Sequence, residues 1–131
     1  MVQKGDSKLA LGRAGEGAAL LLLRLKGYRL LHRNWMGPSG ELDLVLERRR
    51  EIVFVEVKTR SSMLFGGAVG AVGPSKTRAM VRTASSYLGR HGLWDRPCRF
   101  DVVAIERVRR PPFWRVTHIR DAFQPDLGRR M

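Results

Sequence analysis

The chain has 131 residues, which is the length of one ordinary domain, and its hydrophobic fraction of 44% is enough to form a core. Its 25 Lys and Arg residues outnumber its 12 Asp and Glu residues, so the formal net charge is +13. This charge predicts a polyanionic partner, most often nucleic acid, with biased base composition or attraction to an acidic membrane surface as the alternatives.

The first predicted element is a helix that Asp6 or Ser7 caps and that ends near Lys26, before Gly27. Its apolar run, residues 18–23, is far shorter than the roughly 20 residues that span a bilayer, which excludes a membrane helix. The run also lacks the cleavage site of a signal peptide. We therefore expect a cytoplasmic protein with no membrane partner, and a single cysteine agrees with a reducing compartment.

The remaining elements are mostly strands. Three are predicted in the first half of the chain, over residues 28–34, 42–47 and 52–58, with a turn in the sequence GPSG. A glycine-rich loop follows, and helical spacing of apolar residues predicts a second helix over residues 75–90. Two further strands, FDVVAIE and FWRVTHI, complete the pattern. This order predicts an α/β fold with a central mixed sheet flanked by helices.

The third predicted strand, IVFVEVKTR, carries two charges in an otherwise apolar run. Because side chains alternate between faces, Glu56 and Lys58 point the same way. We expect the ERRRE loop to pair Glu47 with Ile52. Counting back along both strands then places Asp43 opposite Glu56, at about 5 Å, where like charges repel. A divalent cation such as Mg²⁺ would offset this repulsion and bind a phosphate-bearing substrate.

These charges also have a structural interpretation, in which Glu56 and Lys58 form an ion pair and Asp43 only ends the turn. Two other features remain open in the same way. The segment GAVGPSKT lacks the spacing of a nucleotide-binding loop, so either it contacts a nucleic-acid phosphate with Lys76 or it is a plain connection. The three tryptophans either stack on bases or pack against the protein, and packing is the expected outcome.

Four blocks of the sequence resemble known families. The segment GELDLVLERRREIVFVEVKTRSS resembles the motif of the PD-(D/E)xK nuclease superfamily, which includes restriction endonucleases and archaeal Holliday-junction resolvases. The blocks LGRAGEGAALLLLRLKGYRLLHRNW, GELDLV, FVEVKTRSS and RFDVVAIE, in this order, more closely resemble the YraN-like bacterial family, regarded as probable endonucleases. The resemblance implies a restriction-endonuclease-like αβββαβ core. We expect one nuclease-like domain over residues 1–131, with its core at about 8–119 and a basic tail at 120–131.

The resemblance also implies roles for individual residues. Asp43 and Glu56 would bind the divalent metal, Mg²⁺ or Mn²⁺, together with the carbonyl of Val57. Lys58 would orient or activate the attacking water and stabilise charge on phosphorus. Glu16 occupies the place of a glutamate that resolvase-like members add from the first helix, although a solvated helix residue is the alternative. The residues expected to contact nucleic acid are Arg60, Lys76, Arg78 and Arg82.

The expected function is that of a metal-dependent endonuclease that binds nucleic acid, expected to be DNA, and hydrolyses phosphodiester bonds. The alternative is a non-catalytic nucleic-acid-binding protein that assists a DNA repair or processing complex, with salt-sensitive binding that needs no metal. A structural adaptor would neither bind nor cut. Resolvase-type cutting of two strands would need two sites, and therefore a homodimer.

Overall fold

The computed structural model describes residues 4–60, 74–111 and 113–124, with side chains for 13–59, 75–111 and 113–124. The elements are α1 (Lys4–Leu25), β1 (Arg29–Gly37), β2 (Gly40–Arg48), β3 (Glu51–Arg60), α2 (Pro74–Arg90), β4 (Cys98–Arg107) and β5 (Trp114–Phe123). The strands form a sheet in the order β1-β2-β3-β4-β5, in which β3 and β4 are parallel and the other neighbours antiparallel. The expected α/β fold with a mixed sheet is confirmed, and it is consistent with a restriction-endonuclease-like core.

The hairpin between β2 and β3 has the expected register, because Glu47 pairs with Ile52. Its loop is shorter than expected and consists of Arg49 and Arg50 alone. Both residues have positive φ angles, 51° and 73°, as in the two-residue type I′ turns that match the twist of a hairpin. The turn therefore sets the pairing of the two strands that carry the expected site.

The two helices cover opposite faces of the sheet. Val53 and Val55 of β3 belong to a buried cluster with α1, whereas Ile52 and Phe54 belong to a second cluster with α2. β3 is therefore buried on both faces, which explains its continuous apolar sequence. Within the described residues, neither helix is long and apolar enough to cross a membrane.

β5 continues four residues beyond its expected end at residue 119 and is held to β4 by a buried carboxylate. Asp101 accepts hydrogen bonds from His118 Nε2 at 2.7 Å, from Arg99 Nε at 2.8 Å and from the backbone nitrogen of Asp121 at 3.0 Å. Burial alone would raise the pKa of Asp101, but these hydrogen bonds together lower it to about 2. Asp101 therefore stays ionised in the core and ties the two strands together.

Candidate functional site

The gap between β2 and β3 begins where the charged residues were expected to meet. The last paired residues are Leu44 and Val55, so Asp43 and Glu56 are the next residues along their strands, as the predicted register requires. Asp43 Oδ2 accepts a hydrogen bond from the backbone nitrogen of Val57 at 2.9 Å. A side-chain oxygen thus takes the place of a main-chain partner where the strands separate.

The regular alternation of β2 is broken at Asp43. Leu42 packs into the α2 cluster and Leu44 into the α1 cluster, although residues two apart on a strand normally share a face. The neighbouring strand β1 is irregular at Asn34, which has a φ of 54°. Asparagine is one of the few residues that readily adopt this left-handed conformation. The site is therefore built on a local break in the pleat of two adjacent strands.

Three carboxylates meet at this break. Single oxygen atoms of Glu16, Glu41 and Asp43 all lie within 4.8 Å of one another. Asn34 Nδ2 donates to Glu41 Oε1 at 2.7 Å and to the two oxygens of Glu16 at 3.1 and 3.3 Å. One amide group therefore holds the two glutamates side by side, next to Asp43.

A glycine on α1 allows Glu16 to reach the sheet. A Cβ atom on Gly15 would lie 2.2 Å from Thr59 Oγ1 and 3.4 Å from Ile105 Cδ1, so a larger residue would require either the Thr59 side chain or the helix to move. A Cβ atom on Gly17, by contrast, would have no neighbouring atom within 4 Å among the described residues. The helix therefore packs closely against the sheet at Gly15 but not at Gly17.

Two lysines lie on the other side of Asp43, beside Glu56. The Oε1 atom of this buried glutamate is 3.2 Å from Lys58 Nζ and 3.2 Å from Lys76 Nζ. The side chain of Lys58 is 18% exposed and that of Lys76 is 47% exposed, so neither lysine is fully buried. The ion pair of the structural interpretation is therefore present, but a nuclease centre would contain it too.

Burial raises the pKa of Asp43 to about 7, and the negative charge of Glu56 adds to this effect. The hydrogen bond from Val57 lowers the pKa, and the charge of Glu16 raises it again. Asp43 therefore keeps its proton to a higher pH than an ordinary aspartate does. A proton relieves the repulsion between these carboxylates, and a divalent cation would relieve it in the same way.

The residues expected to contact nucleic acid are only partly at this site. Lys76 is part of it through Glu56. Arg78 and Arg82 are exposed on α2, two and six residues further along the helix than Lys76. The side chain of Arg60 and the glycine-rich loop, residues 66–73, lie outside the described residues.

Sequence reasoning missed Glu41 and Asn34. The signal for Glu41 was available, because a second carboxylate only two residues before Asp43 on the same strand is close enough to join the same site. The signal for Asn34 was weaker, since an asparagine inside a strand marks a position that tolerates a left-handed backbone. The contact between the two residues comes only from the pairing of β1 with β2.

The sequence model of the family described as Uncharacterised protein family UPF0102 matches residues 15–105. The chain belongs to the UPF0102 family. A UPF0102 protein from Moorella thermoacetica is 46% identical over 112 residues, which are 86% of this chain and 93% of the relative. One from Neisseria meningitidis serogroup C is 46% identical over 103 residues, which are 79% of this chain and 89% of the relative. One from Bacteroides thetaiotaomicron is 41% identical over 117 residues, covering 89% and 94%.

Membership in UPF0102 confirms the resemblance to the YraN-like family. The matched segment contains the carboxylates and lysines of the site, from Glu16 to Lys76. It ends at residue 105, before the tip of the hairpin that joins β4 to β5.

Proposed function

We propose that this UPF0102 protein is a metal-dependent nuclease that hydrolyses phosphodiester bonds in nucleic acid, with DNA as the expected substrate. The observation that carries the proposal is the position of Asp43, in the gap between two strands. It has Glu16 and Glu41 on one side and Glu56 with two lysines on the other. Carboxylates that suit a cation thus adjoin ammonium groups that suit a phosphate.

The donor set fits Mg²⁺ or Mn²⁺, which are hard ions that prefer oxygen ligands. Two oxygens bound to one Mg²⁺ at about 2.1 Å are at most about 4.2 Å apart. The oxygens of Glu16, Glu41 and Asp43, all within 4.8 Å, need only small side-chain rotations to meet this limit. Asp43 also belongs to the second possible set, with Glu56 and the Val57 carbonyl. A bound divalent ion would supply Lewis-acid activation of water and phosphate.

Lys58 and Lys76 provide the phosphate-binding part of the proposed site. In hydrolysis, a water oxygen bonds to phosphorus, the bond from phosphorus to the leaving sugar oxygen breaks, and negative charge grows on the phosphate oxygens. Lys58 Nζ, which Glu56 holds in place, donates hydrogen bonds to these oxygens and stabilises that charge. Lys76, which is more exposed, binds another oxygen of the phosphate.

The test is cleavage of labelled linear, flap and four-way-junction DNA, with the linear strand also made as RNA, in Mg²⁺, Mn²⁺ or EDTA. Wild type is compared with Asp43→Asn and Lys58→Ala. Asp95→Asn is the matched control, because it makes the same chemical change at an exposed residue of the loop before β4. We expect metal-dependent cutting by wild type and the control, and its loss in the other two variants. Normal cutting by Asp43→Asn would overturn the proposal.

The second candidate function is non-catalytic binding of nucleic acid. The ion pairs of Glu56 with Lys58 and Lys76 favour it, because they give Glu56 and both lysines a partner of opposite charge without a metal or a substrate. This candidate predicts salt-sensitive binding in EDTA and no cutting by wild type on any substrate or metal. The same set of assays therefore separates the two functions.

A further inference from the structure

The tip of the β4–β5 hairpin, of which the structure describes residues 107–111 and 113–115, is rich in arginine. Its sequence RVRRPPFWR contains no acidic residue. All four arginine side chains are exposed, and within the described residues none of their guanidinium groups has a hydrogen bond or an ion pair. These residues are Arg107, Arg109, Arg110 and Arg115. Four exposed guanidinium groups in so short a segment suit a chain of phosphates.

Two aromatic side chains accompany the arginines. Phe113 is 50% exposed and has a φ of 74°, which is strained for a bulky residue. The loop holds it there with two backbone hydrogen bonds, from Val108 to the Phe113 carbonyl at 2.7 Å and from Phe113 to the Arg110 carbonyl at 2.8 Å. Trp114 is 37% exposed and pairs with Arg107 across the hairpin. The fold therefore presents aromatic rings to solvent beside the arginines.

The tip lies at the same end of the sheet as the candidate site. β3 and β4 are parallel, and Glu56 of β3 pairs with Val102 of β4. Arg107 is five residues further along β4, which at about 3.3 Å per residue places it about 17 Å beyond the level of Glu56. Phosphates of one DNA strand advance 3.4 Å per step along the duplex axis, so this distance corresponds to about five steps.

We infer that the described part of the tip, residues 107–111 and 113–115, forms a nucleic-acid-binding arm that holds the substrate strand about five nucleotides from the candidate site. The arginines bind phosphates, and Trp114 stacks on an unpaired base, since the faces of bases in a duplex are covered. The arm thus favours a strand with an unpaired segment over a fully paired duplex. The inference takes its partner from the proposed function, but it does not require that the protein cuts.

The positive charge of the arm disfavours binding of a second copy of this chain at the same surface. The same segment of another copy would bring four more arginines, and its sequence contains no acidic residue. Like charges at such a contact repel, whereas each phosphate of a nucleic acid neutralises one guanidinium and releases counterions.

The test is the salt dependence of binding to a duplex with a single-stranded tail, measured in EDTA by fluorescence anisotropy. Arg109→Gln/Arg110→Gln removes two charges from the arm. The matched control, Arg24→Gln/Arg90→Gln, removes two charges from exposed residues at the last turns of α1 and α2. Because both variants have the same net charge, only the position of the charges differs. We expect the slope of log K against log salt to fall by about 2 in the arm variant alone. An equal change in both variants, or none in the arm variant, would overturn the inference.

Trp114→Ala and Trp114→Phe test the aromatic part of the arm. We expect Trp114→Ala to weaken binding to the tailed duplex by about tenfold and binding to the blunt duplex by less than about twofold, with Trp114→Phe close to wild type. Equal losses on both substrates would refute stacking on an unpaired base.

Cleavage is measured separately in Mg²⁺. If the arm variant binds more weakly but wild type does not cut, the binding arm is supported and the proposed nuclease activity is overturned. If wild type cuts but the arm variant binds as well as wild type, the nuclease activity is supported and the binding arm is overturned. If wild type does not bind nucleic acid, the binding arm is overturned.

Discussion

Replacing Asp43 with asparagine should stabilise the metal-free protein at pH 8. The pKa of Asp43 rises from 3.8 to about 7 in the folded state, a shift of about 3 pH units. At 1.36 kcal/mol per unit, ionised Asp43 costs the fold about 4 kcal/mol at most. Because the site is partly open to solvent, we expect a gain of about 2 to 3 kcal/mol in the free energy of unfolding. Asparagine removes this cost, since its Oδ1 still accepts the hydrogen bond from Val57.

The free energy of unfolding depends on pH in a direction set by the raised pKa of Asp43. Between pH 4 and 7 the folded wild type binds a proton at Asp43 that the unfolded chain has released. The stability that this proton supplies is fully present below about pH 4 and is lost as the pH rises to about 7. Asp43→Asn has no such dependence, so its advantage over wild type should be large at pH 8 and small at pH 4.

Urea unfolding in EDTA at pH 4 and pH 8 measures these differences, with Asp95→Asn as the control for loss of a surface carboxylate. Saturating Mg²⁺ at pH 8 should then stabilise wild type, because a ligand of the folded state alone shifts the equilibrium toward it. The same Mg²⁺ should have little effect on Asp43→Asn. The account of the site would be refuted if Asp43→Asn were less stable than wild type in EDTA at pH 8.

Three further predictions concern the same fold. The affinity for Mn²⁺ should fall by about tenfold per pH unit below about 7, because the ion competes with the proton on Asp43; calorimetric titrations showing no such fall would contradict this. Gly15→Ala should cost about 1 to 3 kcal/mol and weaken Mn²⁺ binding through Glu16. Adding Thr59→Ala should restore both the stability and the Mn²⁺ binding of Gly15→Ala. Gly17→Ala should instead stabilise α1 by up to about 1 kcal/mol. Urea unfolding checks both changes, and equal effects at the two glycines would exclude a contact with Thr59. Asp101→Asn should destabilise the fold by about 2 kcal/mol at pH 7, and the difference should shrink as the pH falls from about 4 to 2, where wild type becomes protonated; a difference constant over this range would contradict the assigned pKa.

The strand pattern and the central charges could be predicted from the sequence because they depend on local rules. Alternation along IVFVEVKTR places Glu56 and Lys58 together, and the short ERRRE loop sets the register that brings Asp43 beside them. Lys76 lies at the start of α2, close enough to the same strand to join Glu56. The positions of Glu56, Lys58 and Asp43 follow from periodicity and loop length, which a single sequence records, whereas the contact of Lys76 with Glu56 depends on how α2 packs.

Other parts of the site depend on contacts between distant segments. Asn34 meets Glu16 only because α1 packs onto the sheet at Gly15, and no local pattern encodes this docking. The break in the pleat at Asp43 also escapes prediction, because the sequence there reads as regular alternation. Asp101 resembles one more strand residue until Arg99 and His118 converge on it.

The central claim is that Asp43 is the shared ligand of a divalent-metal site used in phosphodiester hydrolysis. The most direct measurement is an anomalous-difference map from crystals of wild type and Asp43→Asn grown in Mn²⁺ with a bound oligonucleotide. The account predicts a Mn²⁺ peak in wild type within bonding distance of Asp43 and of Glu16, Glu41 or Glu56, beside a backbone phosphate near Lys58, and no peak there in the variant. A peak that persists in Asp43→Asn, or Mn²⁺ bound only elsewhere in wild type, would contradict it.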